Sequence, residues 1–154
     1  MSTLARAIAL AAQYHEGQTD KGGRPYVFHP LRLMLKALTE PEQIAAVLHD
    51  TIEDTDLTLD DLRKEGFSDE IVEAIDRLSR REDETYHEFI LRIKENRLAA
   101  RVKILDLQDN MDLTRIKKPS EKDQKRLLKY SQALDTLLSH DETQEADEKD
   151  QNRL

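Results

Sequence analysis

Three short stretches set chemistry-bearing side chains against an apolar background. In YVFHPLRLML, His29 precedes Pro30 at a helix start. In AAVLHDTIEDT, His49 and Asp50 end an apolar run, and Glu53 and Asp54 follow within one turn. In RVKILDLQDNMDL, Asp106 sits among Val102, Ile104, Leu105 and Leu107, with Asn110 one turn further on. Imidazole nitrogens mixed with carboxylate oxygens suit Mn²⁺, Fe²⁺ or Zn²⁺ better than Ca²⁺. Burying a carboxylate such as Asp106 is costly unless it is paired or bound to a metal. Asp106 therefore reads either as a ligand or as the partner of Lys103 or Arg101. His49-Asp50 alone also reads as a solvated helix end, and Glu53-Asp54, joined by Asp56, as an exposed acidic loop. In the functional reading, Glu53 orients or deprotonates a cation-activated water, with Asp54 assisting. Asp109 and Asp112 are expected on a solvated face.

The elements that must position these residues are helical. Leu4, Ile8, Ala11 and His15 repeat at three to four residues, one face of a helix. Gly17, Gly22-Gly23 and Pro25 mark a loop over 17–27. A helix resumes over 28–38. Pro41 fits the first turn of another helix that runs to His49-Asp50, and a polar stretch from Thr51 to Thr58 interrupts. Thr58, with Asp60 and Asp61, caps a short helix ending near Gly66, and Ser68 opens the next. Residues 80–84 read as a loop, and Tyr86, Phe89, Ile90 and Ile93 mark a helix. A long helix is expected over 98–116, ending before Pro119, and Ser120 caps the last. The sum is one all-α domain of seven or eight helices with at most a minor β-hairpin.

Composition narrows the function classes. The 154 residues suit one domain. Cysteine is absent, which excludes a disulfide scaffold, a thiolate zinc site and a cysteine nucleophile. No apolar run approaches the roughly 20 residues of a membrane span, and the N-terminus lacks the pattern of a signal peptide. A cytoplasmic enzyme is expected. The formal net charge of −8 argues against a broad nucleic-acid surface. Half of that charge lies in HDETQEADEKDQNRL, so the domain is expected over 1–139 and a disordered acidic tail over 140–154.

Taken in order, HEGQ, KGGRPYVFHP, AAVLHDTIEDTDLTLDDL and VKILDLQDNMDL resemble the hydrolase domain of the RelA/SpoT alarmone enzymes, in the stand-alone form of a small alarmone hydrolase. The resemblance covers roughly residues 4–116. It implies an all-helical HD fold binding one Mn²⁺, with Fe²⁺ or Zn²⁺ as alternatives. His29, His49, Asp50 and Asp106 match the family's ligands, and Glu53 and Asp54 its catalytic acidic pair. Lys21 falls on the basic residue of the loop that lies against the nucleotide, with Arg24 nearby, and Asn110 matches the asparagine that contacts the nucleotide. The implied reaction removes the 3′-pyrophosphate of ppGpp, pppGpp or an adenosine analogue. No synthetase domain is expected. An HD phosphohydrolase for another nucleotide or phosphorylated metabolite, and a catalytically silent nucleotide-binding module, are the competing readings.

The chain departs from the family pattern where the substrate would lie. Asp20 stands where the family carries a basic residue. Asp-Leu-Gln-Asp-Asn-Met-Asp replaces Asp-Arg-Leu-His-Asn-Met-Arg, so Leu107 and Asp112 each remove a cation. Fewer cations imply weaker hold on polyphosphate, and the expectation is poor discrimination between guanine and adenine, or a preference for adenine.

Overall fold

The computed structural model describes residues 1–139; the expected tail at 140–154 lies outside the described residues. Nine α-helices occur among them: α1 Leu4–Tyr14, α2 Phe28–Lys36, α3 Glu40–Leu48, α4 Thr51–Asp54, α5 Leu59–Lys64, α6 Asp69–Arg77, α7 Tyr86–Lys94, α8 Arg97–Asn110 and α9 Glu121–Leu138, with a 3₁₀ turn at Leu113–Arg115. The only strand-like feature among the described residues is an isolated antiparallel bridge between Thr19 and Pro25. The all-helical fold is as expected, and the one-turn α4 is the addition to the helices that periodicity marks. None of these helices is long and apolar enough to cross a membrane.

α3 is the axis. Ile44, Ala45, Ala46, Val47 and Leu48 are all buried, so this helix is apolar on every side, as a central element must be. It packs against α1, α2, α6 and α8. Its start is fixed twice. Thr39 Oγ1 accepts from the Glu42 amide at 3.3 Å, and the buried Glu42 carboxylate pairs with Arg101 of α8 at 2.5 Å. That ion pair decides between the two cations near Asp106, because Arg101 is spent on Glu42.

Local chemistry sets the other helix ends. Thr58 with Asp61 and Ser120 with Asp123 form reciprocal capping boxes, and Ser68 Oγ accepts from the Ile71 amide. The helix expected over 98–116 stops at Asn110. Asp112 Oδ1 accepts from the Thr114 amide at 3.0 Å and its hydroxyl at 2.6 Å, a local alternative to the helical ladder. Between α5 and α6, Gly66 has φ +89°, a conformation costly for any residue with a Cβ. It ends the turn after α5, and its carbonyl accepts from the Ser2 amide at 3.0 Å.

Candidate active site

The ends and faces of α2, α3 and α8 bring three buried donors together. His29 opens α2, His49 caps the C-terminus of α3, and Asp106 faces inward from α8; their exposures are 6, 5 and 5 %. His29 Nε2 lies 2.8 Å from Asp106 Oδ1, and His49 Nε2 lies 3.4 Å from the same oxygen. All three donor atoms fall within 4.8 Å of one another. A cation bound at about 2.1 Å holds neighbouring donors about 3 Å apart, so the set fits one divalent ion. Asp50 lies beside it, with Oδ2 3.6 Å from His49 Nε2, although it is not part of the tight three-donor group.

The imidazoles are oriented by their other nitrogens. His49 Nδ1 donates to the Ala46 carbonyl at 2.7 Å, which leaves the Nε2 lone pair facing Asp106. His29 Nδ1 lies 2.6 Å from Asp109 Oδ2. The expectation of a solvated Asp109 is therefore corrected. Its exposure is 3 %, because Arg32 closes on both its oxygens at 2.9 Å. Leu107 is corrected too. It is fully buried in the core, on the side of α8 away from solvent, so its replacement of a basic residue takes no cation from a solvent-facing wall. Asp112, by contrast, is exposed as expected.

Asp50 has its own supports, which sequence reasoning did not single out. The Tyr26 hydroxyl donates to Asp50 Oδ2. The buried His15, held by Gln18 at 2.8 Å, brings Nε2 to 3.2 Å from Asp50 Oδ1, yet neither atom has a hydrogen-bond partner. An ionised carboxylate with a buried, unmatched oxygen beside two imidazoles is the electrostatic setting a cation completes. Charge in the cluster follows the same logic. Burial works against a charge on His49, but Asp50 and Asp106 outweigh it and raise its pKa to about 9. Burial likewise opposes ionisation of Asp106, and Lys103 with the two histidines overcomes it, holding the carboxyl well below its usual range. Lys103 supplies an ion pair to Asp106 Oδ2 at 2.8 Å, so pairing and convergence on the histidines coexist, each using a different oxygen.

Two cavities adjoin this group. One, of about 240 Å³, is lined by His29, His49, Asp50, Asp106, Glu53 and Asp54 and by the cations Arg80, Lys103 and Lys129. Glu53 and Asp54 are exposed at its edge on α4. Burial first, then the charges of Asp50 and Glu53, raise the Asp54 pKa. The second cavity, of about 290 Å³, is lined by Lys21, Arg32, Asn110, Arg115, Arg126 and Tyr130 among others. Asn110 borders both cavities, and its Nδ2 donates to Asp106 Oδ1 at 3.1 Å. Arg24 borders neither and is exposed. Asp20 is turned to its own loop, where Oδ1 accepts from the Gly22 and Arg24 amides at 2.8 and 3.0 Å.

An all-helical fold with a His, His-Asp and Asp constellation at its centre defines the HD class, and the HD-domain family model matches residues 7–153. The chain belongs to the HD-domain family, which implies a divalent metal. Among curated relatives it is 29 % identical over 149 residues to a guanosine-3′,5′-bis(diphosphate) 3′-pyrophosphohydrolase of Aquifex aeolicus, covering 89 % of this chain and 21 % of that protein. It is 36 % identical over 81 residues to the bifunctional (p)ppGpp synthase/hydrolase SpoT of Escherichia coli, covering 50 % and 11 %. The chain thus spans about a fifth or less of the length of these relatives. A solved structure of a metazoan ortholog of SpoT, described as hydrolysing ppGpp, superposes with a TM-score of 0.70 at 21 % identity over 90 % of this chain and 87 % of that one; it shares the fold.

Proposed function

We propose that residues 1–139 form a cytoplasmic hydrolase that removes the 3′-pyrophosphate of (p)ppGpp or an adenosine analogue, with Mn²⁺ as its metal. The observation that carries this reading is the convergence of His29 Nε2, His49 Nε2 and Asp106 Oδ1 within 4.8 Å, in the cavity that Glu53 and Asp54 border. The relatives supply the substrate class.

His29, His49, Asp50 and Asp106 would hold the cation. When bound, it supplies Lewis-acid polarisation of a phosphoryl oxygen and lowers the pKa of water. The chain's own residues do the rest. Glu53 accepts the proton of the attacking water, and Asp54, whose pKa is raised, orients that water or returns a proton to the ribose oxygen as the P–O3′ bond breaks. Pyrophosphate leaves beside Arg80 and Lys129. Lys21 and Asn110 border the neighbouring cavity and are assigned to the nucleotide.

One observation favours a substrate with less charge than a tetraphosphate. The cations of the larger cavity have acidic partners: Lys21 with Asp123 at 3.2 Å, Arg32 with Asp109, Arg115 with Asp112 at 3.3 Å and Arg126 with Asp123 at 3.9 Å. Cations already paired hold phosphate less firmly than unpaired ones. The test is an Mn²⁺ assay across guanosine and adenosine nucleotides carrying a 3′-pyrophosphate or a 3′-monophosphate, scoring pyrophosphate and phosphate separately. Pyrophosphate release from the first group supports the proposal. Phosphate release from the second group alone supports the less charged substrate, and no turnover of any nucleotide overturns both.

A further inference from the structure

Asp106 and Asp109 stand three residues apart on α8, and His29 and Arg32 stand three apart on α2. The two pairs interlock. Asp106 Oδ1 meets His29 Nε2 at 2.8 Å and Asp109 Oδ2 meets His29 Nδ1 at 2.6 Å, so one helix grips the imidazole at both nitrogens. Arg32 Nε and Nη2 take the two oxygens of Asp109 at 2.9 Å each. Arg115, from the 3₁₀ turn, adds Nη2 at 2.7 Å from the Asp109 carbonyl and 3.4 Å from its Oδ2. Asp109 is almost fully buried, and these groups are its partners.

We infer that Asp109 is a positioning residue for the metal centre, acting through His29. The inference rests on the metal reading proposed above and goes beyond it. A carboxylate accepting from Nδ1–H fixes the tautomer that leaves the Nε2 lone pair available, stops the ring from turning, and makes that nitrogen a stronger donor. Arg32 and Arg115 hold the carboxylate ionised and fix it against the ring. They also keep Asp109 from swinging to the cation, which would otherwise gain a competing ligand on the same face of α8. A residue that served only to pair Arg32 would need no contact with His29 Nδ1.

The test needs no nucleotide. Mn²⁺ affinity of the metal-free full chain is measured by calorimetry for wild type, Asp109→Asn, Asp109→Glu and Arg32→Gln, with melting curves of each. In the Zn²⁺-loaded proteins, the imidazole proton resonances report the His29 Nδ1–H···carboxylate bond. We expect Asp109→Asn and Asp109→Glu to weaken Mn²⁺ binding about 10- to 100-fold and to move the His29 Nδ1–H resonance upfield. Arg32→Gln breaks one ion pair but leaves Arg115 and the His29 Nδ1 contact to hold the carboxylate, so it should lower the melting temperature as much while weakening Mn²⁺ binding less than about 3-fold. The two Asp109 variants remove the charge or displace it, so either one that folds decides the matter. Wild-type affinity and an unmoved resonance in a folded Asp109 variant overturn the proposal, as does equal weakening by Arg32→Gln. Either result leaves the metal reading intact. A wild-type chain that binds no Mn²⁺ overturns both.

Discussion

Lys103 and Asp106 lie one turn apart on α8, with the ammonium 2.8 Å from Asp106 Oδ2 while Oδ1 faces the histidines. The lysine is a permanent internal counter-ion for a carboxylate that has a second task. Burial works against its charge, and Asp106 outweighs burial, raising the Lys103 pKa. Lys103→Met keeps the stem and removes the charge. In metal-free protein it should cost about 1–3 kcal/mol, the effect of removing one charged partner from a buried carboxylate that keeps its two histidines, and much less with saturating Mn²⁺. Equal losses in thermal melts of the two forms would contradict a shared carboxylate.

Glu53 separates proton transfer from metal holding, because it borders the cavity while lying outside the three-donor group. Glu53→Gln should leave Mn²⁺ affinity within about 3-fold and reduce kcat by roughly 10²-fold or more. Calorimetry and steady-state kinetics on the same sample check this. An exposed acidic residue with no task predicts unchanged kcat.

Asp20 is held by its own loop, so replacing it with arginine would both add charge and break two amide contacts. Asp20→Asn is the cleaner change, since its side-chain oxygen can still accept from Gly22 and Arg24. It should keep the melting temperature within about 2 °C and lower KM for a polyphosphate substrate about 2- to 5-fold at low salt, an advantage that salt screens away. An unchanged KM at low ionic strength would mean that this carboxylate lies too far from the phosphates to matter.

The metal-free protein should show a distinctive pH profile. His49 has a folded pKa of about 9 against its ordinary 6.5, so its charge stabilises the fold fully below pH 6.5 and ceases to do so as pH rises through 9. Asp50, Asp106 and Asp109 are held below their ordinary 3.8, so their contribution is present above that value and lost as pH falls further. Chelator-treated protein should therefore melt highest between about pH 4 and 6.5 and less well by pH 9. Mn²⁺ affinity should rise over the same alkaline interval, since binding needs neutral imidazoles. Melting curves with chelator at pH 6 and 9 that coincide would show that folding leaves the His49 pKa at its ordinary value.

Much of this arrangement was legible because it breaks local rules. His29, His49, Asp50 and Asp106 stand out as polar residues in apolar runs, and the structure gathers them. Thr58, Ser68 and Ser120 announce helix starts because capping needs only neighbours within three residues. What stayed hidden depends on partners far along the chain. Asp109 looks solvated until Arg32 and His29, 77 and 80 residues away, cover it. Whether Leu107 faces a cavity or the core depends on how α8 is rotated against α2 and α3. The choice between Arg101 and Lys103 as partner of Asp106 turns on Glu42, 59 residues from Arg101. His15 and Tyr26 read as ordinary helix and loop residues until the fold places both on Asp50.

The separation of His29 from Asp106, 77 positions along the chain, also bears on how the molecule assembles. A cation gripped by both would act as a removable cross-link closing a long loop, whose entropy of closure grows only slowly with its length. His29, His49 and Asp50 lie within residues 29–50, so the ligand set would be complete only once the ribosome had released α8. Folding and loading would then finish together, and withdrawal of the ion would loosen α8 from α2 before it disturbed the apolar axis of α3.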